Sequence, residues 1–275
     1  MQSASEVLHS LDINTFPLDT FFDSKVQPLG VKTAEEYNLL SKLYKSKNMY
    51  DKVIYFYTKS LEIRKDSLGF MHRKTAESYK NLADAYYKKM EMNEAVKFYH
   101  KALEIRENIF GIGHSKTAEI YGSLGNVHMS NGEFKESSLF YRKALHIQQE
   151  VSGDIHLDTA KAYHALAYFY ASQLEFEYAL PLFKKVLSIK VSLLNKNHIS
   201  LADSYTHLAM CQYHLFQNNE ASYNLKKSID IQEFSLDGKD EKLLLLKRNL
   251  KEIQKNTLVE KKESFFKKIK KYISS

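Results

Sequence analysis

Apolar and small residues return along this chain on two interleaved helical spacings. In the first, Ala34, Tyr37 and Leu40 recur as Ala76, Tyr79 and Leu82, then at Ala118, Tyr121 and Leu124, at Ala160, Tyr163 and Leu166, and at Ala202, Tyr205 and Leu208. Tyr44, Tyr86, His128 and Tyr170 follow four positions after the leucine, so the apolar residues fall on one face of a helix. A small residue stands directly after each leucine (Ser41, Ala83, Gly125, Ala167, Ala209), where two backbones can approach closely. The second pattern runs through Val53, Ala95, Ser137, Ala179 and Ala221, then Tyr57, Tyr99, Tyr141, Phe183 and Leu225. It ends in SLEIR, ALEIR, ALHIQ, VLSIK and SIDIQ, again at helical spacing. The stretches between the two patterns, such as KSKNMY and SNGEF, are short and polar enough to turn an antiparallel pair.

Both patterns advance by 42 residues, most visibly in GFMHRKTAESY, GIGHSKTAEIY and GDIHLDTAKAY, which begin at 69, 111 and 153. A period of this length signifies stacked supersecondary units. Each unit is predicted to be helix, turn, helix, with Gly69, Gly111 and Gly153 ending the second helix in the left-handed conformation. Pro181 falls in or just beyond the first turn of its helix, where a missing N–H costs least. One hairpin cannot bury its own apolar face, so neighbours must supply the missing partner. Leu250 lies 42 residues after Leu208 and predicts a lone sixth first-helix that covers the last hairpin.

Composition narrows the class. With 275 residues at 44% apolar, the chain can bury a real core and is neither disordered nor membrane-spanning by composition. The start, MQSASEVLHS, lacks the regions of a secretory signal, which places the chain in the cytoplasm, and the single Cys211 cannot form an internal disulfide. The net charge of +7 suggests nucleic acid until it is located: residues 239–275 hold twelve basic against five acidic residues, and the rest of the chain balances. Residues 1–29 are acidic, with four acids and one lysine. The body between arm and tail is only mildly basic, and this asymmetry weighs against a body that binds nucleic acid.

Candidate chemistry is sparse. His72, His114, His156 and His198 recur one repeat apart, too distant to share a metal, and are expected to bond backbone groups at the start of each first helix. His207, Cys211 and His214 share a helix, but no second helix offers a fourth zinc ligand. GIG at 111–113 follows a helix and lacks the third glycine of a dinucleotide fingerprint. No catalytic motif, cofactor or metal is expected, and the chain is read as no enzyme.

Tyr79, Leu82, Ala83, Tyr86, Ala95, Tyr99 and Ala102 resemble the packing residues of the tetratricopeptide repeat. The 42-residue period and its junction resemble the repeat of kinesin light chains and their relatives. Two departures mark the difference: Arg73, Ser115, Leu157 and Ile199 follow the junction histidines where the relatives usually have proline, and no heptad coiled coil precedes the repeats. The resemblance implies an all-α fold, a right-handed superhelix of about five hairpins plus a C-terminal capping helix. The expected organisation is an acidic arm (1–29), five repeats (30–238), a capping helix (239–260) and a basic amphipathic tail (261–275).

The resemblance also implies a concave groove lined by the first helices. Its residues here are Asn38, Lys42 and Lys45 in the first repeat, Lys80, Asn81, Asp84, Tyr87 and Lys88 in the second, and Asn126 and Met129 in the third. Lys161, His164 and Tyr168 follow in the fourth and Tyr213 in the fifth. The early positions are lysine-rich and the later ones aromatic, which suits an extended peptide with acids and an aromatic or aliphatic anchor. Light-chain repeats grip such peptides with groove asparagines, matched here by Asn81 but replaced by Ser123, Ala165 and His207 elsewhere. A carboxylate clamp of the chaperone-binding type is excluded by Asn38, Lys42, Glu119 and Ser123 at its positions.

The expected function is therefore a protein-binding adaptor or scaffold. Phe16, Leu18, Phe21 and Phe22 among three acids in the arm suggest an internal competitor for the groove. In the tail, Phe266, Ile269 and Ile273 share a helical face with Lys267, Lys268, Lys270 and Lys271 around the rest. That gives the alternative reading, a peripheral factor held on an anionic membrane by its tail.

Overall fold

The structure is a computed structural model that describes the backbone of residues 33–235 and 240–273 and the side chains of 33–234 and 240–257. The arm motif from Phe16 to Phe22 and the tail side chains from Phe266 to Ile273 lie outside the described residues. The described residues form eleven helices and no strand: α1 (Ala34–Ser46), α2 (Tyr50–Leu68), α3 (Arg73–Lys88), α4 (Met92–Phe110), α5 (Ser115–Ser130), α6 (Phe134–Ser152), α7 (Leu157–Ser172), α8 (Phe176–Leu193), α9 (Ile199–His214), α10 (Asn218–Ser235) and α11 (Glu241–Ile273).

Packing divides the described residues into two compact units, with the division between Ser137 and Ser138. In the N-terminal unit α1 packs on α2, α2 on α3, α3 on α4 and α4 on α5; in the C-terminal unit the same order runs from α7 to α11. Sequential neighbours are thus spatial neighbours, as stacking of hairpins requires.

Each boundary has a local cause. Thr33 starts α1 with a capping box, its hydroxyl accepting from the Glu36 N–H while the Glu36 carboxylate accepts from the Thr33 N–H. At the other first helices the junction histidine is the cap: the Nδ1 atoms of His72, His114, His156 and His198 accept the N–H two residues on, at 3.0 to 3.2 Å. The first helices end in a Schellman motif, in which the N–H groups of Glu91, Glu133, Glu175 and Gln217 bond the carbonyls of Tyr86, His128, Tyr170 and Gln212. The left-handed residue that the motif needs is Asn48, Met90, Gly132, Leu174 or Phe216, five positions spaced by the repeat length.

The second helices end differently from the expectation. Gly69 (φ 84°, ψ 169°) and Gly111 (φ 85°, ψ 164°) have the positive φ but an extended ψ. The extended ψ sends the chain outward to the next capping histidine three residues later. Their carbonyls, with that of Gly153, accept the hydroxyls of Thr75, Thr117 and Thr159 at 2.7 to 3.0 Å.

Between helices the core is aromatic and small by turns. Phe56 stacks between Tyr37 and Tyr44, and Phe98 between Tyr79 and Tyr86, at centroid distances of 5.3 to 6.2 Å. Ser41, Ala83, Ala167 and Ala209 are buried where helices approach, and the Ser137 hydroxyl reaches the Gly125 carbonyl at 2.9 Å. The sixth first-helix forms as expected: Leu243, Leu246 and Ile253 of α11 close over Ala209, Ala221, Leu225 and Ile229.

Candidate binding faces of the two units

Adjacent first helices touch each other directly at two fixed offsets. Contacts 39 residues apart are the ion pairs Lys74–Glu35 (3.0 Å), Lys80–Glu119 (3.2 Å) and Lys242–Asp203 (2.9 Å). Contacts 43 residues apart join Tyr87 to Ser130 (3.0 Å), His164 to His207 (3.4 Å) and Asn256 to Tyr213 (3.2 Å). Because the repeat is 42 residues, these offsets are one repeat minus a turn and one repeat plus a residue. They set first-helix side chains of neighbouring repeats side by side, giving each unit a face of its own.

In the N-terminal unit the face centres on a closed charge network. Lys80, whose side chain is 16% exposed, pairs with Asp84 at 3.0 Å as well as with Glu119. Asp84 also accepts the Tyr99 hydroxyl, and Glu119 is approached by Arg106 (3.4 Å) and Lys116 (3.6 Å). Burial pulls the Lys80 ammonium down, but Asp84 and Glu119 outweigh it and hold its pKa above the usual lysine value. Burial likewise pushes Glu119 up, and Lys80, Arg106 and Lys116 reverse that. Burial first, then Asp84, raises the Tyr99 phenol far above its ordinary value. The charge of Lys80 is thus spent on carboxylates of its own chain.

The other anticipated residues surround this network. Lys42, Lys45 and Lys88 are exposed, with the Lys88 ammonium 5.9 Å from the Tyr87 ring centre. Asn38 and Asn81 are half-buried, and the Asn38 side-chain oxygen is buried without a hydrogen-bond partner. Asn126 is exposed and Met129 half-buried.

In the C-terminal unit the face is aromatic. His164 lies against His207 and Tyr168, and both imidazoles lie against Phe183, His207 in a parallel stack at 5.5 Å. Burial, then the second imidazole, lowers the His164 pKa to about 4, and burial lowers His207 too, so both rings are neutral at pH 7. Tyr168 remains 48% exposed, and Met210 of α9, one repeat on, is exposed as well. Tyr213 is half-buried under its bond from Asn256, and Lys161 pairs with Asp158 of its own helix at 2.7 Å.

Sequence reasoning set His207 in two places, at the position of a groove asparagine and in a trio with Cys211 and His214. The trio separates in space: Cys211 is buried beside Ala167, Ala179, Phe183 and Leu208, where burial pushes its thiol up to about 11, and His214 stacks on Phe176 at 4.2 Å. Among the described residues, no three His, Cys, Asp or Glu side chains gather as a metal site would. The alignment of His207 with Asn81 was the signal in the sequence; that His207 meets His164 is legible only once the 43-residue offset between stacked helices is known.

Comparison with known proteins agrees with this architecture. The tetratricopeptide repeat profile matches residues 74–150 and 158–233. BtubC (BKLC) from P. vanneervenii superposes with a TM-score of 0.65 at 20% identity, over 75% of this chain and 83% of that one. A Podosopora anserina protein of the kinesin-light-chain type with nearly identical TPR-like repeats gives 0.62 at 20% identity, over 74% and 97%. A variant of that protein gives 0.62 at 22%, over 72% and 93%. Comparison with curated protein sequences gave no match. At these identities the likeness is one of fold.

Proposed function

This chain belongs to the tetratricopeptide repeat family, and on that premise we propose that it is a non-enzymatic adaptor of the cytoplasm whose first-helix faces hold extended segments of a partner protein. The partner segment is acidic and carries an aromatic or aliphatic anchor.

One observation supports this chemistry above the others. On the N-terminal unit Lys80, Lys74 and Lys116 are paired with carboxylates, while Lys42, Lys45 and Lys88 stand exposed. Lys45 and Lys88 are 43 residues apart, the offset at which Tyr87 meets Ser130 one repeat on. Two unspent cations on one face form a rail for a partner's carboxylates, and steering by such charges weakens with salt. The uncharged surface of Tyr168 and Met210 on the C-terminal unit suits the anchor.

The test is capture of the partner by the full chain, recovery of the bound segment as a synthetic peptide, and titration against Lys45→Glu with Lys88→Glu. Affinity is expected to fall by about ten-fold or more at low salt, with a smaller difference in high salt. Equal affinity of the folded double variant and the original chain would overturn the reading.

A further inference from the structure

The fourth repeat junction departs from the others at three positions, two of which line one cleft. The first three junctions are polar and closed: Thr75, Thr117 and Thr159 bond the carbonyls of Gly69, Gly111 and Gly153. Beside them the Tyr121 hydroxyl bonds Glu107 at 2.6 Å and the Tyr163 hydroxyl accepts from Gln149 at 3.0 Å. One repeat on, Asn195 replaces the glycine, Leu201 the threonine and Val191 the glutamate or glutamine, while Tyr205 keeps the tyrosine.

The consequences are visible in the backbone. Without a glycine that takes positive φ, α8 stops at Leu193, and Leu194 turns outward in an extended conformation (φ −118°, ψ 152°). An open-sided cleft of 340 Å³ results, its floor built from Val191, Leu194, Leu201, Tyr205 and Ile231. This is at the small end of the range for ligand sites, about 300 to 1,000 Å³. The rim carries Lys196, Lys227 and Asp230, a surplus of one positive charge, with the Lys227 ammonium 5.7 Å from the Tyr223 ring centre.

We infer that this cleft is a second peptide-binding site, off the first-helix faces, which takes one large apolar side chain flanked by carboxylates. Val191, Leu194, Leu201 and Ile231 offer an apolar side chain a place out of water, while the polar atoms of the lining, the Tyr205 hydroxyl and the Asn197 amide, can meet the guest's backbone. The net positive rim selects an acidic flank. The inference rests on the proposed function only in that the guest is a polypeptide; the two sites share no residue.

The experiment is methyl NMR of the full chain titrated with the acetylated, amidated pentapeptide Asp-Asp-Phe-Asp-Asp, and with its alanine-centred counterpart as control. Saturable shifts of the Val191, Leu201 and Ile231 methyls are expected, about ten-fold or more weaker for the alanine peptide. Val191→Gln with Leu201→Thr installs the third junction's side chains at two of the three differing positions; with its fold checked by circular dichroism, the Ile231 methyl response is expected to vanish in this variant. Lys196→Glu with Lys227→Glu is expected to weaken binding by a similar factor. No saturable shift at the three methyls, or a response confined to Met210 on the first-helix face, would overturn the second site while leaving the first to its own test. Equal responses to both peptides would overturn it as well.

Discussion

The Lys190 ammonium donates to the Ser204 hydroxyl at 2.9 Å and to the Ser200 carbonyl at 3.2 Å, tying the end of α8 to the following first helix. Arg64 does the same from α2, reaching the Lys74 carbonyl and the Ser78 hydroxyl at 3.0 and 2.9 Å, with its side chain only 6% exposed. Arg106 meets the Lys116 carbonyl at 2.6 Å. The position is Arg, Arg, Gln, Lys and Gln through the five repeats, and the Gln232 amide donates within its own helix, to the Ser228 hydroxyl at 3.0 Å.

This latch gives the first prediction. Lys190→Leu removes the ammonium from the partly buried Ser204 hydroxyl and Ser200 carbonyl, which keep only the bond between them at 3.1 Å, and should lower stability by about 1 to 3 kcal/mol. Lys190→Gln keeps a donor, of the side-chain type found at this position in the third and fifth repeats, and should cost less than about 1 kcal/mol. Urea denaturation of the two variants, read by circular dichroism, separates them.

The imidazole pair predicts a pH dependence. His164 has a folded pKa of about 4 against 6.5 when unfolded, so between these values the unfolded chain binds more protons. Its contribution is fully present above about pH 6.5 and is lost as pH falls toward 4. His207 shifts in the same direction, Lys190 opposes protonation of both rings and Asp203 favours it. The urea midpoint should therefore drop between pH 7.5 and pH 5, and His164→Phe should flatten that drop.

A stabilising change is expected at a turn. Phe216 holds a left-handed backbone (φ 58°) and is 82% exposed, where the third repeat has Gly132 and the first Asn48. Its ring buries little, while a side chain in this region costs about 1 to 2 kcal/mol. Phe216→Gly should raise stability by about 0.5 to 1 kcal/mol after the added freedom of the unfolded chain. A lower melting temperature for this variant would mean that the ring packs on something. Leu174 (73% exposed) should respond the same way.

Gly111→Ala should do the reverse. A Cβ there meets nothing within 4 Å, so space is not the obstacle. The combination of φ 85° and ψ 164° is the obstacle, since only glycine adopts it readily, and the cost should be about 1 to 3 kcal/mol. A thermal melt of the variant beside the original chain measures it.

The repeat, its hairpins and the sixth first-helix were legible because helical periodicity and a 42-residue recurrence are properties of one strand of sequence. The capping histidines were legible for the same reason, since a cap and the N–H it binds are two residues apart. The latch was not: the residue closing SLEIR or VLSIK reads as a solvated charge until its partner, ten or fourteen residues on, folds back against it. The left-handed turn residues were hidden as well, because Met90, Leu174 and Phe216 are poor witnesses to a backbone that usually selects glycine or asparagine.

By itself, then, the chain's linear pattern decided which segments are helical, where they cap and that neighbours must stack, for all of these follow from contacts within a few residues or from an exact repeat. Tertiary structure decided which charges remain unspent. Lys80 and Lys88 look alike as sequence, yet the 39-residue offset sets Lys80 against Glu119 and leaves Lys88 exposed. It also decided that His164 meets His207 and that Val191, Leu201 and Tyr205 share one cleft. Those outcomes depend on the axial slip between stacked helices, a length set by side-chain packing and recorded in no single repeat.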